Sequence, residues 1–157
     1  MMSRQRLRVA GMYMLVTGLA LWLSGCASAP PANPQDLCAI FDEKPEWHEP
    51  ATDASKRWGS SIPVMMSIMF QESQFVADAK PPFRWFLFIP LGRPSSAYGY
   101  PQAKDETWDW YRDSSGHTFA ERDDFEDAID FIGWYNAQTR QRNRVRPNDA
   151  YSFYLAY

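Results

Sequence analysis

An apolar run that ends in a glutamate constrains the fold of this chain more than any other segment. Residues 60–73 read SSIPVMMSIMFQES, and a serine followed closely by a proline is a common helix start. Met65, Ile68 and Met69 fall on one face of such a helix, and this apolar face must pack inward. Glu72 lies on the same face. The run therefore predicts a central helix that carries a carboxyl group on its buried side.

Glu72 has two interpretations on this pattern. A glutamate at a helix end is commonly a solvated residue or one that bonds to a neighbouring serine or backbone amide. If the packing removes water from the carboxyl instead, its pKa rises and it keeps its proton near neutral pH, as a catalytic acid must. The pattern alone favours the ordinary interpretation and leaves catalysis open.

Further helical patterns follow along the chain. Residues 104–115 predict a second helix, and a last helix begins after residue 149. Residues from about 123 to 143 predict the clearest helix, whose apolar face is formed by Phe125, Ala128, Ile129, Ile132 and Tyr135. Between the first two lies KPPFRWFLFIPLGRPSSAYGY, residues 80–100, whose prolines and glycines exclude a long helix. The predicted fold is mainly α, with an aromatic loop or short hairpin inserted.

The first 25 residues are typical of an exported protein. Three arginines and no acid precede the apolar residues 9–23, a run shorter than the roughly 20 residues that a membrane-spanning helix needs. The junction LSGC, which ends at Cys26, resembles the bacterial lipobox, in which the cysteine is lipidated and becomes the new amino terminus. Residues 1–25 are thus interpreted as a lipoprotein signal peptide and Cys26 as the lipidation site. A membrane-spanning anchor is the alternative.

The rest of the chain divides into a linker and one domain. Residues 26–36 are small and rich in proline, which predicts an extended linker after the lipidated cysteine. Residues 37–157 suffice for one ordinary domain. The residue after the cysteine is Ala27 and not an aspartate, and in this respect the chain resembles lipoproteins that are sorted to the outer membrane. The resemblance implies an outer-membrane lipoprotein that faces the periplasm and contacts the membrane through its lipid.

Charge and ligand-forming residues exclude some partners. Of the 16 Lys and Arg residues, three lie in the predicted signal peptide, which leaves 13 against 19 Asp and Glu. This acidic balance argues against a nucleic-acid partner. His48 and His117 are isolated, so the sequence predicts neither a metal site nor a cofactor. Cys38 has apolar neighbours and is expected to be packed rather than reactive.

Three short motifs, in order, resemble one enzyme family. Glu72-Ser73 ends the apolar helix, AYGYPQ follows at residues 97–102 with Thr107-Trp108 beyond it, and Leu155-Ala156-Tyr157 closes the chain. From about residue 60 to the end, this order is similar to that of the SLT-type lytic transglycosylases of the lysozyme-like superfamily. The resemblance implies a mainly α, lysozyme-like domain that acts on the glycan strands of peptidoglycan.

The resemblance also implies roles for individual residues. Glu72 matches the catalytic acid of the family, which cleaves the bond between N-acetylmuramic acid and N-acetylglucosamine and leaves an anhydromuramic acid end. Ser73 is expected to orient this carboxylate, and Gly99 to let a sugar approach the backbone. The remaining expected substrate-binding residues are Tyr98, Gln102 and Tyr157, with Tyr157 near the reacting sugar or hydrogen-bonded to Glu72.

The sequence departs from the family pattern in three places. The middle motif reads Gly99-Tyr100-Pro101-Gln102 where the family usually has Gly-Leu-Met-Gln, and the loop of residues 80–94 is longer and more aromatic. The chain also ends at Tyr157, where Asn-Ala-Gly is expected, so the domain is expected to be truncated there. Two alternatives follow: a non-catalytic envelope lipoprotein of the same fold that binds glycan or a partner, and a structural lipoprotein in which Glu72 only ends a helix.

Overall fold

The computed structural model describes residues 29–146 and 149–157. The predicted signal peptide, the lipidation site Cys26 and the first residues of the linker lie outside the described residues. In chain order the elements are α1 Leu37–Glu43, α2 His48–Trp58, α3 Ile62–Ser73, β1 Arg84–Phe86, β2 Ile89–Gly92, α4 Asp105–Ser115, α5 Phe125–Asn143 and α6 Ala150–Ala156. A single 3-10 turn, Pro45–Trp47, joins α1 to α2. The prediction of a mainly α fold is confirmed.

The helix α3 forms as the apolar run predicts. Ser61 occupies its N-cap position and Pro63 lies in its first turn, where a missing N–H costs nothing. Met65, Ile68 and Met69 are almost completely buried. The helix ends because Gln74 turns into the left-handed conformation, with φ at 52°. Because the helix ends at Ser73, Glu72 lies in the last turn of α3, at the rim of the core.

The long helix α5 is the centre of the domain, and α2, α3, α4 and α6 all contact it. Asp124 caps its start by accepting a hydrogen bond from the Asp127 amide at 3.1 Å. Gly133 lets α2 approach closely, because a Cβ at this position would lie 2.8 Å from the Trp58 ring. The helix begins two residues later than predicted and ends where predicted. Of the residues predicted to form its buried face, Tyr135 is half-buried and the other four are buried.

A buried carboxylate joins three of these helices. Asp130 of α5 is 6% exposed and accepts hydrogen bonds from the Trp58 indole of α2 and the Tyr111 hydroxyl of α4, both at 2.9 Å. The Arg57 guanidinium adds an ion pair at 3.0 Å. The acid is therefore fully engaged by groups that hold α2 and α4 against α5.

Two features of the amino-terminal part were not predicted. The helices α1 and α2 do not follow from the sequence pattern, although Asp36 caps α1 by accepting from the Cys38 amide at 3.0 Å. The expectation that Cys38 is packed is wrong, because its side chain is exposed. The cysteine lies on the outer side of α1, and Ile40 is the residue of this helix that enters the core.

The predicted aromatic insertion contains a short antiparallel hairpin. Strands β1 and β2 pair Trp85 with Pro90 and Phe86 with Ile89, and an irregularity follows Arg84. The side chains of both strands are largely exposed. In the part of the chain that the structure describes, no helix is long and apolar enough to cross a bilayer.

Candidate active site

A cleft of about 340 Å³ opens beside the last turn of α3. Its walls come from α3, from the turn that precedes α4, from α4 and α5, and from the end of the chain. The lining residues are Glu72, Gln102, Ala103, Lys104, Thr107, Phe131, Tyr135 and Tyr157. Three of the residues singled out in the sequence, Glu72, Gln102 and Tyr157, thus meet in one cleft.

Glu72 is half-buried on the wall of this cleft. Burial raises the pKa of its carboxyl above the ordinary value of 4.5. Among the described residues, none donates a hydrogen bond to this carboxyl and none forms an ion pair with it. Its charged form is therefore poorly compensated, which shifts the equilibrium of this carboxyl toward its protonated form.

Tyr157 stands across from Glu72 and is held by the protein. Its hydroxyl donates to the Pro101 carbonyl at 2.8 Å, and its ring meets the Tyr135 ring edge-on at 5.0 Å. Burial, followed by the negative charge of Glu72, raises the pKa of Tyr157 well above its usual value. Tyr157 is therefore a neutral phenol near Glu72, and its proton is directed to Pro101 rather than to the carboxylate.

Gln102 fixes the turn that forms one lip of the cleft. Its backbone has φ at 48°, an uncommon conformation for a residue other than glycine. The side-chain amide nitrogen donates to the Ala79 and Gly99 carbonyls, both at 2.9 Å. Since both amide protons are used within the protein, the oxygen is the group that Gln102 offers to a ligand.

Ser73 and Tyr98 do not line the cleft. The Ser73 hydroxyl is buried and donates to the Met69 carbonyl at 3.2 Å, so it is engaged by its own helix and not by Glu72. The Tyr98 hydroxyl donates to Asp123 at 2.7 Å. This hydrogen bond, and then burial, raises the pKa of Tyr98 to about 12. The structure gives both residues supporting positions outside the cleft.

Gly99 is required by the protein's own backbone. Its φ is +76°, and a Cβ at this position would lie 2.1 Å from the Arg122 carbonyl oxygen. The amide of the next residue, Tyr100, donates to that same oxygen at 2.9 Å. A sugar was expected to approach the backbone closely at Gly99. On this side of Gly99 the segment around Arg122 occupies that position instead.

Three further lining residues were not recognised in the sequence as part of a site: Ala103, Lys104 and Phe131. Tyr135 was interpreted only as one of the apolar positions of α5. Thr107 lies on α4 and was noted only as part of the motif order. Lys104 lies just beyond the AYGYPQ motif, and its proximity to Gln102 in the chain is the only signal for it. Phe131 has no such signal, because a phenylalanine inside a long helix is ordinarily core.

A second depression, of about 320 Å³, lies between the segment before α1 and helix α3. Its walls are mainly apolar, and no titratable side chain lines it. In residues 29–146 and 149–157, no three His, Cys, Asp or Glu side chains are grouped as metal ligands. Within this part of the chain, acid–base chemistry is available in the Glu72 cleft and not in the second depression.

The comparison with protein families agrees with this geometry. A family model described as Transglycosylase SLT domain matches residues 14–157, which include α3, the Gln102 turn and Tyr157. The chain belongs to the transglycosylase SLT domain family. Comparisons with curated proteins and with solved structures gave no match. The mainly helical fold with a small hairpin is consistent with a lysozyme-like SLT domain, and the family implies peptidoglycan as the substrate class.

Proposed function

We propose that this SLT domain is a peptidoglycan lytic transglycosylase in which Glu72 serves as both the acid and the base. The observation that carries the proposal is the state of this carboxyl. It is half-buried on a cleft wall, its pKa is raised by burial, and no described residue pairs with it. Such a group gives up its proton to water less readily than an exposed glutamate and can transfer it to a bound substrate.

The proposed reaction has two proton transfers and one new bond. The Glu72 carboxyl gives its proton to the oxygen that links N-acetylmuramic acid to N-acetylglucosamine, and the bond from this oxygen to the anomeric carbon breaks. The carboxylate then takes the proton of the C6 hydroxyl of the same muramic acid. The C6 oxygen attacks the anomeric carbon and closes a 1,6-anhydro ring. No water is consumed, and Glu72 is again protonated.

The composition of the cleft supports this route over hydrolysis by two carboxylates. Glycosidases that use water or a covalent intermediate ordinarily place a second Asp or Glu across the scissile bond. Among the residues that line the cleft in the described part of the chain, Glu72 is the sole acid. An enzyme in which the C6 hydroxyl of the substrate attacks the anomeric carbon needs only this one acid.

The other lining groups have roles that suit a sugar ligand. Tyr157 and Tyr135 present an aromatic wall, and Gln102 offers an amide oxygen to a hydroxyl or acetamido N–H. Lys104 supplies a positive charge at the lip, which suits the lactyl carboxylate or the peptide of muramic acid. These assignments extend the sequence-based expectation for Gln102 and Tyr157.

We also propose that the domain works from a lipid anchor. The LSGC junction at Cys26 supports lipidation, and Ala27 supports sorting to the outer membrane, where the enzyme would face the periplasm and its glycan substrate. Only a short linker, residues 27–36, separates Cys26 from α1. The anchor keeps the cleft near the membrane-facing side of the cell wall.

The decisive variant for the enzyme is Glu72→Gln. It keeps the size of the side chain and removes the transferable proton, so release of anhydromuropeptides from purified sacculi should fall by roughly 10²–10⁴-fold or more. Glu126→Gln is the matched control, because Glu126 is exposed on α5 and does not line the cleft. Near-wild-type release by Glu72→Gln would contradict the proposal. Sacculus binding without any product, by the unaltered protein, would favour the non-catalytic glycan-binding alternative.

A further inference from the structure

The hairpin and its flanks form the most exposed apolar surface among the described residues. We call residues 83–91 the apolar hairpin. Phe88 at its turn is 94% exposed and Leu87 is 78% exposed. The other exposed apolar members are Phe83, Trp85, Phe86, Ile89 and Leu91. A soluble surface seldom gathers so many large apolar side chains on one projection, so this one is expected to be covered by something.

The two faces of the apolar hairpin are both uncovered. Residues of β1 and β2 are exposed at successive positions, although neighbouring side chains in a strand point to opposite faces. The ring contact between Phe83 and Trp85, at 5.2 Å, lies within the hairpin itself. A ligand that covered a single face would leave the other in water, whereas a surrounding apolar medium would cover both.

The charges in the chain segment that carries the apolar hairpin have one sign. Residues 85–91 carry no charge, and Lys80, Arg84 and Arg93 flank them. No Asp or Glu occurs between Asp78 and Asp105, although the whole chain has more acids than bases. An apolar tip with a cationic base matches an anionic phospholipid surface, because the arginines meet headgroups while the tip enters the region beneath.

The length and backbone of the hairpin limit how deep the tip can go. The two strands have only 3 and 4 residues, so the hairpin cannot cross a bilayer, for which a single strand needs about 9–11 residues. The outer edges of a two-stranded ribbon also carry unpaired N–H and C=O groups, which are costly in the hydrocarbon core. Pro90 removes one such N–H, and Trp85 suits the interface between headgroups and acyl chains.

We propose that the apolar hairpin inserts its tip into the interfacial region of an anionic phospholipid bilayer and so orients the domain at the membrane. The hairpin provides a second contact besides any anchor at Cys26. The base of the hairpin is tied to the cleft, because the Ala79 carbonyl just before it accepts hydrogen bonds from the Gly99 amide and from the Gln102 side chain. Insertion would therefore fix the direction in which the cleft faces the cell wall.

The test places a fluorescent probe at the tip of the hairpin in the full chain. Phe88→Cys is labelled with an environment-sensitive dye in a Cys38→Ser background, since Cys38 is exposed and would also react. Phe119→Cys is the matched control, because Phe119 is 93% exposed but lies outside the apolar hairpin. The Cys38→Ser parent alone gives the labelling blank. Any lipid anchor is the same in both proteins.

In vesicles that contain anionic phospholipid, the probe at position 88 should be quenched by nitroxide-labelled lipids and protected from aqueous iodide. The probe at position 119 should show the opposite behaviour. Adding Arg84→Gln and Arg93→Gln should lower the ratio of inserted to free hairpin by up to roughly 30-fold, about fivefold for each arginine. Vesicles without anionic lipid should weaken insertion in the same direction.

Three results would overturn the proposal. The first is equal iodide access at positions 88 and 119 in anionic vesicles. The second is insertion that does not depend on anionic lipid or on the two arginines. The third is protection of position 88 without vesicles that grows with protein concentration, which would mean that a second copy covers the hairpin. None of these readouts requires enzymatic activity, so they are independent of the proposed function.

Discussion

Replacing Asp130 with alanine should destabilise the domain by about 2–6 kcal/mol. Asp130 is 6% exposed and accepts from the Tyr111 hydroxyl and the Trp58 indole, both at 2.9 Å. Each donor left without an acceptor in a buried place costs about 1–3 kcal/mol, and two donors give the stated range. Arg57 adds little, because half of its side chain is exposed and water can replace the carboxylate. Asp130→Asn keeps one acceptor oxygen and should lose about half as much.

Urea unfolding followed by circular dichroism measures these differences as free energies of unfolding. Asp53→Ala is the control, since Asp53 forms an exposed ion pair with Lys56 at 3.4 Å that is worth about 0–1 kcal/mol. The expected order of stability loss is Asp130→Ala, then Asp130→Asn, then Asp53→Ala. The reasoning is refuted if Asp130→Ala lies within about 0.5 kcal/mol of the unaltered protein, which is small against a usual domain stability of about 5–15 kcal/mol.

Two further predictions concern the cleft and the turn beside it. The pKa of Glu72 is raised in the folded protein, so the folded state binds protons more tightly than the unfolded chain. The free energy of unfolding that this group contributes is therefore fully present below pH 4.5 and is lost as the pH rises through the raised pKa. Glu72→Gln should therefore be at least as stable against urea as the unaltered protein at neutral pH, and the difference in their free energies of unfolding should shrink toward acid pH. A difference that grows on acidification would contradict this. Gly99→Ala should cost more than the roughly 1–2 kcal/mol of a left-handed alanine, because its Cβ would lie 2.1 Å from the Arg122 carbonyl oxygen. Gly116→Ala, with φ at +80° and no atom within 4 Å, should show only that conformational cost, and equal losses for the two glycines would show the close contact to be unimportant.

The sequence predicted those helices whose buried faces are built from large apolar residues. Met65 and Ile68 in α3, and Ile129 in α5, repeat at helical spacing and are buried as expected. The helix α2 has no such signal, because the residues it buries are only Ala51 and Ala54. Small side chains suffice where α2 approaches α5 at Gly133, and this fit depends on a distant partner. Local pattern therefore could not predict it.

The site was predictable as a set of residues but not as a geometry. The order of the family motifs marked Glu72, Gln102 and Tyr157, which meet in the cleft. The same motifs marked Tyr98 and Gly99. The Tyr98 hydroxyl is bonded to Asp123, and the space beside Gly99 is filled by the segment around Arg122. Whether a polar side chain bonds to a ligand or to its own backbone depends on contacts between distant segments, which short motifs do not encode.

Asp130 shows what a sequence pattern can hide. It stands between Ile129 and Phe131 in a helix whose inward face is otherwise apolar, and this setting is the one signal that it is buried. Its partners Trp58 and Tyr111 lie 72 and 19 residues away in the chain. Nothing local in the sequence connects them, so the network is a property of the fold.

The most direct test of the central claim is the fate of water during cleavage. Purified sacculi are digested by the full chain in water enriched in heavy oxygen, and the released muropeptides are weighed by mass spectrometry. If Glu72 directs the C6 hydroxyl onto the anomeric carbon, the new muramic acid ends are anhydro, one water lighter than reducing ends, and free of heavy oxygen. Reducing ends that carry heavy oxygen, formed by the unaltered protein and lost in Glu72→Gln, would mean that Glu72 catalyses hydrolysis, and the transglycosylase account would be contradicted.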